Sequence, residues 1–286
     1  MSDSAVPPLV STEWLAANMW QPNVVIADAS WYLPQAGRNA RAEYNAGHIP
    51  GALFFDIDAI SDQTTDLPHM LPDEIHFASH MRKLGIGDSD IVVFYDGAGI
   101  YSAPRALWMM RAMGHRNTAV LDGGLPKWRK EGRAIESTVP PPSVRSHFTP
   151  RRQDKMIRDR AAIQRNLKTS AEQVVDARSP TRFRGEEPEP RPGVRPGHIP
   201  SSLNLYYADV LTPEGTMRPA AELKRLFAAR GIEIERPVVT SCGSGVTAAI
   251  LSLALDIAGA KDTALYDGSW SEWGACSEVP VETGGR

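Results

Sequence analysis

Short apolar runs recur along the chain, divided by polar turns and separated by longer stretches of helical spacing. The runs at 24–28, 91–95, 118–121, 174–176 and 238–241 are rich in Val and Ile. Such continuous apolar segments predict buried parallel strands rather than strands with one wet face. A further strand-like run lies at 52–57. Between the strands, 76–84 shows helical spacing before Gly85, 102–113 before Gly114, and 223–232 around Gly231. The segment 246–258 is apolar nearly all round and meets a glycine stop at Gly259. Strands alternating with helices predict an α/β fold, a mostly parallel sheet with helices on both faces. Sites in such folds lie at the carboxyl ends of the strands.

The second half repeats the first. Asp28 and Asp176 each end a strand, Gly47-His48-Ile49-Pro50 reappears as Gly197-His198-Ile199-Pro200, and the helix before Gly85 answers the one around Gly231. The stretch 92–101 lies over 238–247, and Asp122-Gly123 with Trp128 over Asp267-Gly268 with Trp273. Each pair is separated by about 145–150 residues, a steady offset that marks an internal duplication. The expected division is a domain at 1–135, a linker at 136–158, Pro- and Ser-rich at first and then basic, and a second domain at 159–286.

Composition narrows the function classes. With 42% hydrophobic and 23% charged residues the 286-residue chain can bury a core in each half. A net charge of −3 leaves no basic excess for nucleic acid, and no apolar run is long enough to span a bilayer. Residues 1–20 lack the basic and apolar regions of a signal peptide, and two cysteines in so long a chain suit a reducing compartment, so a cytoplasmic protein is expected. No Cys/His spacing indicates a metal site, and nothing indicates a cofactor.

The chemistry concentrates at Cys242-Gly243-Ser244-Gly245-Val246-Thr247, between an apolar strand and an apolar helix. Gly243 and Gly245 are expected at positive φ, curling the loop so that successive N–H groups point at one spot. That spot lies at a helix N-terminus, which favours an anion and depresses a thiol pKa. Cys242 therefore reads as a nucleophile; the plainer reading, a packed structural thiol, needs no glycine cradle. The repeat supplies an internal control. His48 and His198 occur in both halves and read as turn anchors, and Asp28 and Asp176 as strand-end residues that satisfy backbone donors. Opposite Cys242 stands Asp96, which cannot do thiolate chemistry, so the first half reads as scaffold. A phosphatase of the Cys-x5-Arg type fails because the sixth residue after Cys242 is Ala248. A non-catalytic binding module would leave the intact Cys242 loop without a purpose.

The loop, the duplication and the Gly-His-Ile-Pro turns together resemble the tandem-domain rhodanese family of sulfurtransferases, over almost the whole chain. The neutral Gly243 and Ser244 resemble its 3-mercaptopyruvate branch, where thiosulfate-using relatives carry two basic residues. Ser30-Trp31-Tyr32-Leu33-Pro34, His69-Met70-Leu71-Pro72, Tyr101-Ser102-Ala103-Pro104-Arg105 and Glu187-Pro188-Glu189-Pro190-Arg191 carry the same resemblance. It implies sulfur transfer from 3-mercaptopyruvate through a Cys242 persulfide held by loop N–H groups, release of pyruvate, and a thiol acceptor (thioredoxin or a small thiol, cyanide in assays). A preference for thiosulfate is the alternative. It also implies a carboxylate clamp at Arg182 and Arg191, with Arg184 and Arg195 as substitutes, and a relay of Ser244, His69 and Asp58. Without the resemblance, 182–191 reads equally as a solvated basic loop beside Glu186, Glu187 and Glu189. Asp58 then belongs with Asp56 and Asp62 at a helix start, His69 to a surface loop, and Cys276 is a bystander.

Overall fold

A computed structural model describes residues 6–138 and 146–285. The first parallel sheet contains β1 (Leu9–Val10), β2 (Val24–Asp28), β3 (Leu53–Phe54), β4 (Ile91–Tyr95) and β5 (Thr118–Leu121), in spatial order β1-β5-β4-β2-β3. The second contains β6 (Ile157–Arg158), β7 (Gln173–Asp176), β8 (Leu203–Asn204), β9 (Val238–Ser241) and β10 (Thr263–Tyr266), ordered β6-β10-β9-β7-β8. The two orders are the same, and every strand pairing is parallel.

Period-2 alternation explains the layering. Val24 and Ile26, Val93 and Tyr95, and Ala119 and Leu121 turn to one face, where Leu15, Leu125 and Trp128 cover them from helices Thr12–Asn18 and Gly124–Lys130. Phe94 turns to the other face and packs edge-on against Phe55, and helix Ala103–Ala112 lies along β4 and β5 on its way. A sheet covered on both faces is why its central strand reads as an unbroken apolar run. The second sheet repeats the pattern with Val174, Val239, Ala264 and Tyr266 against Ile163, Trp270 and Trp273.

Several expected elements change length. The run at 52–57 forms only the two-residue edge strand β3, because Asp56 then accepts the Ala59 N–H and caps helix Ile57–Ile60. The helix expected at 223–232 is Ala220–Ala229, with Gly231 closing it from beyond the end. Helix Ala248–Ala258 begins after Val246 and Thr247, which belong to the loop. The stretch read as a linker falls partly at 139–145, outside the described residues. Beyond it Phe148 is buried against Phe77 and His115, and Arg151 and Gln153 donate to the carbonyls of Met113 and Ala112.

Compact units do not follow the sequence halves strictly. One comprises Met1–Gln63, Leu71–Gln153 and Pro213–Met217; the other Thr64–Met70, Asp154–Thr212 and Arg218–Arg286. The histidine turns are alike in both. His48 exchanges backbone hydrogen bonds with Glu136, its Nδ1 lies 2.8 Å from the Tyr44 carbonyl, and its ring stacks on Tyr44. His198 does the same with Glu282, the Phe183 carbonyl at 2.7 Å and the Phe183 ring. Both rings anchor turns.

The strand-end aspartates diverge. Each accepts a backbone N–H, from Ser30 at 2.9 Å for Asp28 and from Arg178 at 2.9 Å for Asp176. Asp176 is also paired with the Arg178 guanidinium, whereas burial pushes the Asp28 carboxyl up to about 6. The folded state therefore holds the Asp28 proton that the unfolded chain releases from about pH 4 upward. Stability must fall as pH rises across that window and level off above about pH 6, by about 3 kcal/mol in total. Asp28→Asn removes this contribution, so the variant's stability relative to wild type rises between pH 4 and 7. Denaturant unfolding of both proteins across that range measures it; a pH-independent difference would refute the assignment.

Candidate active site

Cys242 follows β9 directly, at the carboxyl edge of the second sheet, and is 1% exposed. The loop's early carbonyls turn away toward helix Ser269–Trp273: Cys242 O accepts from the Trp270 N–H at 2.9 Å, and Gly243 O from the Ser271 N–H at 2.8 Å and Oγ at 2.6 Å. The Cys242 N–H is taken by Ser269 Oγ at 3.3 Å. Among the described residues the N–H groups of Gly243, Ser244, Gly245, Val246 and Thr247 donate to no protein oxygen. Gly245 holds φ +80°, as the curled loop requires. Gly243 does not. It lies outside the left-handed region, and its glycine answers a close approach instead: a Cβ there would sit 3.3 Å from Arg182 Nη2.

The first unit shows what such a loop gathers around. Asp96 accepts the N–H groups of Ala98 at 2.9 Å and, through Oδ2, those of Tyr101 at 2.8 Å and of Ser102 and Ala103 at 2.9 Å. By the repeat's offset these positions answer Ser244, Thr247, Ala248 and Ala249. One copy of the loop thus closes around its own carboxylate. The other carries a thiol at that position, with a helix N-terminus behind it.

Arg182 lies on the short helix Pro180–Arg184, started by Ser179 and closed by Gly185. Its guanidinium pairs with Glu189 and reaches over the Gly243 backbone. Arg191 Nη1 donates to Ser271 Oγ at 3.3 Å, the hydroxyl that itself donates to Gly243. Both arginines therefore meet the loop at the residue after the cysteine. Arg184 does not, because it pairs outward with the exposed Glu186, and Arg195 is committed to the carbonyls of Gly274, Cys276 and Val279. The stretch is exposed at Glu186, Glu187, Pro188 and Pro190, but the Glu189 side chain turns inward and is only 4% exposed.

His69 is buried, with Nδ1 3.1 Å from Ser244 Oγ and 3.3 Å from Ser244 O. It belongs to Thr64–Met70, the segment that groups with the second unit, and its backbone has φ +62°, an uncommon and costly conformation for histidine. Asp58 belongs to the first unit, where it accepts from Trp31 Nε1 at 3.0 Å. Cys276 is half-buried among Val279, Val281 and the second core, and both cysteines are free thiols. Among the described residues no group of three or more His, Cys, Asp or Glu could hold a metal ion.

Four residues escaped the sequence. Arg178 sits beneath the site, held by Asp176 and Glu189 and stacked 4.4 Å over Trp270, while Ser269 and Ser271 support the loop from below. Glu189 was visible only as one member of a charged motif. The one usable signal was Arg178 itself: it stands two residues beyond a duplicated aspartate, where the first half has Ser30.

A duplicated α/β sheet with a cysteine-headed amide loop at the carboxyl edge of one copy defines the class structurally. The Rhodanese-like domain family matches twice, over residues 11–131 and 159–276. The chain belongs to the rhodanese family. It is 43% identical over 271 residues to the 3-mercaptopyruvate sulfurtransferase of Homo sapiens, covering 93% of this chain and 91% of that one. Its identity to the thiosulfate/3-mercaptopyruvate sulfurtransferase 1, mitochondrial, of Arabidopsis thaliana is 42% over 306 residues, covering 99% and 80%. The crystal structure of SseA from Escherichia coli, described among 3-mercaptopyruvate sulfotransferases, superposes with a TM-score of 0.84 at 37% identity, covering 93% of this chain and 99% of that one.

Proposed function

We propose that the protein is a 3-mercaptopyruvate sulfurtransferase working through a persulfide on Cys242. The observation that carries the reading is the pair of loops: one gathers its N–H groups on the Asp96 carboxylate, the other presents a cysteine at the same place. The Cys242 thiolate attacks the donor sulfur and the carbon–sulfur bond breaks. Its electron pair leaves as the enolate of pyruvate, which takes a proton. The sulfur left on Cys242 lies among loop N–H groups suited to an anion. A thiol such as thioredoxin or a small thiol then attacks the outer sulfur and frees Cys242. Ser244 Oγ and His69, 3.1 Å apart, form a proton path beside the reacting sulfur. The reading includes a reducing, cytoplasmic setting, which keeps Cys242 a thiol between turnovers.

Donor choice follows from where the cations lie. Arg182 and Arg191 supply planar donors for an α-keto carboxylate beside the loop. Gly243 and Ser244 place no cation against the attacking sulfur, where departing sulfite would need one. Steady-state transfer from 3-mercaptopyruvate and from thiosulfate in one assay tests this, and 3-mercaptopyruvate is expected to be preferred. Arg182→Ala or Arg191→Ala should lower kcat/KM for 3-mercaptopyruvate about 30-fold, as loss of a charge-assisted contact near 2 kcal/mol implies. An equal loss with thiosulfate, which has no carboxylate, would assign both residues to structure instead.

A further inference from the structure

We infer that Glu189 is a positioning residue that sets the Arg182 guanidinium against the Cys242 loop. The inference rests on reading Arg182 as a site for the donor's carboxylate. One carboxylate bridges two arginines here. Glu189 Oε1 accepts from Arg178 Nη1 at 2.8 Å and from Arg182 Nε at 3.4 Å, and its Oε2 pairs with Arg182 Nη2. Arg178 cannot move to accommodate it. Its side chain is 1% exposed, is bonded along one edge to Asp176, donates to Gly197 O at 2.8 Å and stacks on Trp270. Glu189 is therefore fixed from the buried side and transmits that fixity outward.

Arg182 is 22% exposed and has no such anchor of its own. Its helix, Pro180–Arg184, is little more than one turn, so the backbone alone leaves the long side chain several rotamers. Glu189 takes Nε and Nη2, and it is this held Nη2 that comes nearest the position of a Gly243 Cβ, at 3.3 Å, with Nη1 at 3.9 Å. Glu189 thus holds the guanidinium by the very nitrogen that meets the residue after the cysteine. A buried partner that fixes the orientation of a guanidinium is a general way to pre-organise an anion site.

Two effects oppose one another in Glu189→Gln. Losing the negative charge strengthens the net pull of Arg182 on an anion; losing the clamp lets the guanidinium leave the loop. Positioning predicts that the second wins, with KM for 3-mercaptopyruvate rising about tenfold and kcat nearly unchanged. A purely structural residue would instead lower the active fraction, reducing kcat at constant KM. The measurement is steady-state kinetics of Glu189→Gln, Arg182→Ala and the double variant, with the sulfur bound per chain at saturating donor counted by mass spectrometry. In the Arg182→Ala background, Glu189→Gln should add no further rise in KM. A fall in KM, a loss in kcat alone, or an undiminished effect in that background overturns the inference. If Arg182→Ala itself leaves KM unmoved, it is the reading of Arg182 that fails. Should Glu189→Gln not fold, Glu189→Asp keeps the charge beside Arg178 but draws back from Arg182, and the same rise in KM is expected; unchanged KM in that variant overturns the inference equally.

Discussion

Cys242→Ser should abolish sulfur transfer from any donor while leaving the unfolding transition almost in place. The hydroxyl is close to isosteric in a position only 1% exposed, so packing in the loop survives. What is lost is the nucleophile, since a serine hydroxyl is not ionised near neutral pH and accepts no sulfur. Wild-type protein treated with 3-mercaptopyruvate should gain one sulfur, on the peptide that contains Cys242. Added mass on Cys276 would move the chemistry elsewhere. Nothing around Cys276 favours that, because it lies against the second core beneath Trp273 and its carbonyl is held by Arg195.

Asp96→Ala should produce the largest change in stability of any single substitution in the first unit's loop, a loss of roughly 3–5 kcal/mol. The carboxylate serves four N–H groups, and removing it leaves them aimed at one another with no acceptor. Asp96→Asn, which keeps one acceptor oxygen, should fall between. Denaturant unfolding orders the three proteins, and equal stability of Asp96→Ala and wild type would mean that the loop does not depend on the carboxylate. Asp96→Cys should not yield a second persulfide. Ala98 stands where the other copy has Ser244, and the Tyr32 hydroxyl, braced by Arg38 and Glu43, closes over Gly97. Two sulfurs per chain after that substitution would contradict the division into reactive and structural copies.

How much of this was legible follows from where each instruction is written. The central strands were readable because burial on both faces demands the apolar runs found at β4 and β9. Edge strands β1, β3, β6 and β8 have two residues each, too few to carry a period. The Cys242 loop was readable because strand, cysteine, glycines and helix are contiguous. Gly243 was misjudged because a glycine serves either a positive φ or a close approach, and only the position of Arg182 separates the two uses. His69 could be carried over only by resemblance, since nothing local announces a left-handed histidine or the grouping of its segment with the second unit. Glu189 was hidden for the opposite reason. In a run of charges, the one carboxylate that is buried looks like its exposed neighbours until Arg178 is seen beneath it.

The histidine turns bear on how such a chain can be trimmed. Glu136 and Glu282 each return to the turn before the third strand of their own repeat and lock onto it by a two-way backbone bridge, with the glutamate carboxylate also reaching the turn's N–H groups at Gly51 and Ser201. Each copy thus ties the chain that leaves its last helix back to a turn in its own middle. The bridge in the second repeat sits on the turn whose Gly197 carbonyl holds Arg178. The segment around Glu282 is consequently a structural member of the second repeat, and a cut that removes it should free the turn that holds Arg178.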